Sequence, residues 1–216
     1  MLVIFDVEGV LFDAEYLPIL AEKLNKEKEI WEITKKGIQG EINWEDGLKT
    51  RVDLLRGIDF KTCKEIADSL PIMTGAKEAC RALKEAGWKL MAISGGFTIM
   101  TDRLKEELGL DHVFSNELKF TNGKLDGVKI VVDSDKAKSA RIKIQEWSVK
   151  KEDIVVVVDG ANDIKLFDIC GLGIAYRAQD IVKDLATITL DEKNLARIID
   201  IINQHYNLKL ESPTIA

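Results

Sequence analysis

Three short stretches of this chain carry residue types that can handle a phosphate ester and a divalent cation. Asp6-Val7-Glu8-Gly9 follows the apolar run Leu2–Phe5, Ser94-Gly95-Gly96 follows an apolar run over residues 89–93, and Asp159-Gly160-Ala161-Asn162-Asp163 follows Ile154–Val158. Asp6 and Asp159, with Asp163 close behind, offer the hard carboxylate oxygens that magnesium prefers, while leaving positions for water and a phosphate oxygen. A cation held there would neutralise phosphoryl charge and keep the group in line for attack. Asp6 can then act as the nucleophile, forming an aspartyl-phosphate that water hydrolyses. Glu8 is placed to protonate the departing alkoxide and then to take a proton from the attacking water. A crowd of anions around it would raise its pKa and keep it protonated for the first step. The Ser94 hydroxyl and the Gly95 N–H can hold phosphate oxygens, because the glycines let the backbone approach closely. A lysine is needed to balance the charge. Lys136 and Lys138 both stand ahead of the third motif, and Lys136 is preferred for its Lys-Ala context and its distance from Asp159.

These residues converge only if the runs before them are neighbouring strands. Each run is apolar on both faces, the pattern of parallel strands covered by helices on both sides. Helical patterns over residues 76–86 and 100–108 alternate with them, closed by Gly87 and Gly109 at the usual stop position. The fold class is therefore α/β, a doubly wound parallel sheet, and ligands in such sheets bind beyond the carboxyl ends of the strands. Residues 13–71 break the rhythm, being charged and helical in period, and read as a small helical cap inserted after the first strand. Asn122-Gly123, flanked by extended runs over residues 117–132, signals a β-hairpin at the sheet edge. The expected division is a core of residues 1–13 and 72–206, a cap of residues 14–71, and a tail of residues 207–216. An amphipathic helix is expected over residues 195–206.

The 216 residues, 46% of them hydrophobic, suffice for one main domain with an insertion. A net charge of −6 gives no basic surface for nucleic acid or an anionic membrane. Cys63, Cys80 and Cys170 lie in no metal or disulfide spacing, which suits a reduced, cytoplasmic setting. The opening apolar run is too short for a signal peptide or a membrane span.

The order Asp6-Val7-Glu8-Gly9-Val10, Ser94-Gly95-Gly96-Phe97, the basic residue near Lys136, and Asp159 to Asp163 resembles the haloacid dehalogenase superfamily. The stretch Ile93 to Phe97 and the position of the helical insertion resemble its phosphoserine phosphatase branch. The resemblance covers nearly the whole chain. It implies a magnesium-dependent phosphoric monoester hydrolase, cytoplasmic, acting on phosphoserine or a similar small phosphorylated metabolite, as a monomer or homodimer. It also implies roles for further residues. The main-chain carbonyl of Glu8 would join Asp6, Asp159 and Asp163 around the metal, and Asn162 would meet the substrate phosphate. Glu15 would face a substrate amino group, Arg51 would bind a carboxylate through its planar fork, and Ile38 and Trp44 would close over the substrate. Three positions depart from the pattern: Glu8 stands where the family has aspartate, Gly9 where the branch commonly has serine, and Val158 where glycine is frequent. Two other outcomes remain open, namely transfer of the phosphoryl group to an alcohol and a weakly active phospho-metabolite binder created by the Glu8 exchange.

Overall fold

The computed structural model describes residues 1–211, with residue 38 described by its backbone alone. Seven strands form one sheet: β1 (Leu2–Phe5), β2 (Lys89–Phe97), β3 (His112–Thr121), β4 (Lys124–Lys129), β5 (Ile154–Val158), β6 (Leu172–Tyr176) and β7 (Ile188–Leu190). Their order is β4-β3-β2-β1-β5-β6-β7, parallel throughout except for the antiparallel β3–β4 pair. The chain is thus an α/β protein with a mostly parallel sheet.

β1 and β5 lie inside this sheet, and every one of their residues is buried. That burial requires continuous apolar sequence, as LVIF and IVVVV provide. Alternate residues point to opposite faces. Val3 and Phe5 join a core with α5 (Ala76–Glu85), α6 (Thr98–Leu108) and α9 (Ile198–Tyr206), whereas Leu2 and Ile4 join one with α7 (Lys136–Glu146) and α8 (Asp180–Lys183). Helices cover both faces, so polar groups can gather only at the strand ends.

Register brings those ends together. Phe5 is level with Ala92 of β2 and Val157 of β5. Asp6, the next residue, donates its N–H to the Val157 carbonyl at 3.0 Å, and the Ser94 and Asp159 positions follow just beyond.

Four helices fill the interval between β1 and α5: α1 (Tyr16–Ala21), α2 (Glu27–Ile38), α3 (Trp44–Leu54) and α4 (Phe60–Ser69). The chain segments leading in and out of this interval are stitched together, with Asp13 N–H on Pro71 O at 2.9 Å and Met73 N–H on Leu11 O at 2.8 Å. At its far side, residues 57–60 lie along β4. Gly57 N–H reaches Leu125 O at 2.8 Å, Leu125 N–H reaches Ile58 O at 2.7 Å, and Phe60 N–H reaches Gly123 O at 2.8 Å. The exposed sheet edge is thereby covered.

Several elements extend beyond the sequence expectation. β2 continues through Ser94-Gly95-Gly96 to Phe97, with a register shift against β3 between Ile93 and Phe97. Asn116, fully buried, repairs the ladder at this bulge. Its Nδ2 donates to Gly95 O at 2.9 Å, and its Oδ1 accepts from Val131 and Val132 N–H at 2.8 and 2.9 Å. The hairpin forms around Asn122 and Gly123, both at positive φ, but β3 begins earlier, because its first half pairs with β2. The last helix starts at Ile198 after a 3₁₀ turn over Leu195–Arg197. Of the expected tail, Leu210 is tied back to Asn203 by two hydrogen bonds, and residues 212–216 lie outside the described set.

Candidate active site

Asp6, Asp159 and Asp163 each offer a carboxylate oxygen, and these atoms lie within 4.8 Å of one another. Lys136 reaches in from the first turn of α7. Its Nζ stands 2.7 Å from Asp6 Oδ1 and 2.6 Å from Asp163 Oδ1, with all three side chains nearly removed from solvent. Lys138 instead points to the surface and pairs with Asp133 at 2.9 Å. Lys136 is therefore the lysine of the cluster.

Above the cluster lies a pocket lined by Asp6, Glu8, Gly95, Lys136, Asp159 and Asn162 from the sheet side. Glu15, Thr34, Trp44, Leu48 and Arg51 line it from the helical side. Two glycines permit the closeness. A Cβ on Gly95 would lie 2.6 Å from the Trp44 ring, and one on Gly96 would lie 2.8 Å from Glu8 Oε2. Ser94 is buried beneath the pocket, and its Oγ accepts the Gly96 N–H at 2.8 Å. The Ser94 hydroxyl proton remains available to a neighbouring acceptor.

Glu8 shows what its extra methylene reaches. Its Oε1 accepts the N–H of Tyr16, the first residue of α1, at 2.7 Å. Glu15 at the N-cap position makes no capping bond of its own, so Glu8 satisfies one orphan donor of the helix and leaves Glu15 turned to the pocket. Arg51 is buried and donates Nε to Gly47 O at 3.2 Å and Nη1 to Thr34 Oγ1 at 3.1 Å. Trp44 lines the pocket, while the Ile38 side chain lies outside the described set.

Five carboxylates share this site with two cations, and their proton affinities reflect the crowding. Burial, then Asp6, push Asp163 up to about 7, with Lys136 opposing. Burial, then Asp6 and Asp163, hold Asp159 well above the ordinary range. Glu15 is raised likewise by burial and by Glu8, Asp159 and Asp6, against Arg51. Burial also raises Glu8, although the Tyr16 N–H opposes it. Burial pulls the Lys136 ammonium down, but Asp163 and Asp6 outweigh it and its pKa ends above the usual value. Asp163 Oδ2 has no hydrogen-bond partner among the described residues. An excess of buried negative charge with an unpartnered oxygen is the donor set of a hard divalent cation.

The family model for haloacid dehalogenase-like hydrolases matches residues 1–167. The chain belongs to this family. Among curated relatives of this haloacid dehalogenase-like hydrolase, the phosphoserine phosphatase of Archaeoglobus fulgidus is 38% identical over 93% of the chain and 59% of the relative. The chain thus spans only part of that protein. The phosphoserine phosphatase of Methanocaldococcus jannaschii is 35% identical over 93% of the chain and 97% of the relative. A solved structure of a phospho-aspartyl intermediate analogue of phosphoserine phosphatase superposes with a TM-score of 0.89, at 33% identity, covering 93% of this chain and 97% of that one.

The site of this hydrolase also contains residues that the sequence motifs did not reveal. Thr34 and Leu48 line the pocket from α2 and α3, and Asn116 braces Gly95 from below. Helical periodicity could have grouped Thr34 with the buried Ile30 one turn earlier, but nothing local marked that face as facing a ligand. No helix among the described residues is long and apolar enough to cross a membrane.

Proposed function

We propose that this chain is a magnesium-dependent phosphomonoesterase that acts on phosphoserine, through a phosphorylated Asp6. The observation that carries the reading is the buried Asp6–Lys136–Asp163 arrangement, with Asp159 beside it, at the floor of a pocket whose far wall holds Glu15 and Arg51. Asp6, Asp159, Asp163 and the Glu8 carbonyl would hold the magnesium, which when bound withdraws charge from the phosphoryl oxygens. Lys136 orients the Asp6 carboxylate through Oδ1 and leaves its other oxygen to attack phosphorus. The Gly95 N–H, the Ser94 hydroxyl and Asn162 hold the remaining phosphate oxygens as charge redistributes.

Glu8 serves as the acid and then the base. Its Oε1 is held by the Tyr16 N–H, which leaves Oε2, the oxygen nearest Gly96, to give a proton to the serine oxygen. Burial raises its pKa, against the Tyr16 N–H, and so favours the protonated form that the first step uses. The same oxygen then receives a proton from the water that opens the aspartyl-phosphate. Arg51 takes the substrate carboxylate and Glu15 its ammonium. Residues 14–71 act as the cap, whose Trp44 lies over Gly95 and limits the pocket to small substrates.

The test is phosphate release from phosphoserine and other phosphomonoesters, with magnesium or with chelator, for the wild type and Asp6→Asn. Magnesium-dependent release that disappears in Asp6→Asn supports the mechanism, and preference for phosphoserine supports the substrate. Absence of release from every ester would sink the hydrolase reading.

A further inference from the structure

Arg51 of α3 is a buried cation whose guanidinium carries five N–H donors. One, on Nε, is spent on its own helix at Gly47 O, 3.2 Å away. A second, on Nη1, goes to Thr34 Oγ1 of α2 at 3.1 Å. Thr34 in turn donates its only side-chain proton to Ile30 O at 2.9 Å, so toward Arg51 it can act only as an acceptor. Three guanidinium protons remain, including both on Nη2, and no side chain among the described residues forms an ion pair with Arg51. Glu8 and Glu15 act on it electrostatically across the pocket.

Nη1 is the nitrogen on the Cδ side, so the two spent donors lie on different sides of the guanidinium plane, and Nε–H shares its edge with Nη2. A bidentate carboxylate needs a pair of parallel N–H groups from one edge. With the Nε proton and one Nη1 proton tied down, the second Nη1 proton and both Nη2 protons remain for a ligand, and anchoring on both sides by Gly47 and Thr34 stops the plane from rotating. Thr34 is itself 1% exposed and lines the pocket, so its hydroxyl is fixed before any ligand arrives.

We propose that Thr34 is a positioning residue for substrate specificity, holding Arg51 so that its remaining N–H groups meet the carboxylate of a phosphorylated amino acid. This rests on the reading that Arg51 binds that carboxylate. Without the Thr34 acceptor the guanidinium regains a rotation and a donor left without a partner. The substrate carboxylate must then restrain it on binding, which weakens recognition of carboxylate-bearing substrates in particular.

The experiment compares phosphoserine with phosphoethanolamine, which keeps the phosphate ester and the amine and lacks the carboxylate. Thr34→Val, close to isosteric, removes the acceptor; Thr34→Ser keeps it; Arg51→Ala reports on the parent reading. The ratio of kcat/KM for phosphoserine over phosphoethanolamine is expected to fall about tenfold in Thr34→Val, carried by KM for phosphoserine, and to return in Thr34→Ser. Equal losses on both substrates would overturn the proposal by making Thr34 a packing residue, and so would an unchanged ratio in Thr34→Val where Arg51→Ala collapses it. If Arg51→Ala leaves the ratio intact, the carboxylate reading itself falls, and this inference with it.

Discussion

Gly9 and Asp159 occupy a space with no room for one more carbon. Gly9 has φ +84°, and a Cβ built there would stand 2.2 Å from Asp159 Oδ2. The backbone after Asp6 therefore passes directly against a carboxylate of the acidic cluster. Gly9→Ala is expected to strain the backbone by about 1–3 kcal/mol and to push Asp159 aside. Displacement of about 1 Å costs on the order of a hundredfold in rate. Thermal unfolding together with kcat would read both effects, and a Gly9→Ala enzyme of wild-type activity would refute the role given to this contact.

Lys136 and Lys138 should separate cleanly. Removing the Lys136 charge leaves Asp6 and Asp163 facing each other without a cation between them, so Lys136→Met is expected to lose about 10²- to 10³-fold in kcat. Lys138→Met breaks a solvent-screened surface pair with Asp133, and should stay within about twofold. Steady-state kinetics on both variants would decide, and comparable losses would contradict the assignment.

Asn116, itself fully buried, holds the part-buried Gly95 carbonyl and Val131 N–H and the buried Val132 N–H. Asn116→Ala strips all three of their partner, at about 1–3 kcal/mol for each buried group left unsatisfied. A fall of about 1–3 kcal/mol in unfolding free energy is expected, with loss of phosphatase rate because Gly95 loses its brace. A urea titration showing less than about 1 kcal/mol of change would mean that water or a backbone shift replaces the side chain.

Asp111 supplies a pH-dependent contribution to stability away from the site. Burial raises its carboxyl, but the Leu90 N–H at 2.8 Å and the ammonium groups of Lys84 and Lys89 outweigh this and hold it below the usual value. A depressed folded pKa means stability that is complete above the ordinary aspartate range and lost as pH falls through the folded value. Asp111→Asn should be less stable than wild type by about 1 kcal/mol at pH 7, after allowance for solvent screening. That gap should close at a pH below the depressed folded value. Denaturant midpoints at the two pH values would test this, and a gap independent of pH would rule out the charge as its source.

Local sequence pattern was enough to establish the strand–helix alternation and the places where chemistry could gather. Apolar runs such as Ile154–Val158 leave little choice but a buried parallel strand, and Asp6 and Asp159 follow such runs directly. Asn122-Gly123 fixed the hairpin for a local reason, since both residues tolerate positive φ. What tertiary structure decided was every relation between distant segments. Residues two apart on a helix point about 200° apart, so only one of Lys136 and Lys138 could face inward, and the packing of α7 chose Lys136, 130 residues from its Asp6 partner. The same holds for Asn116 under Gly95 and for Thr34 against Arg51. A buried polar atom must find a partner wherever the fold supplies one, and no local pattern in the sequence records which distant residue that is.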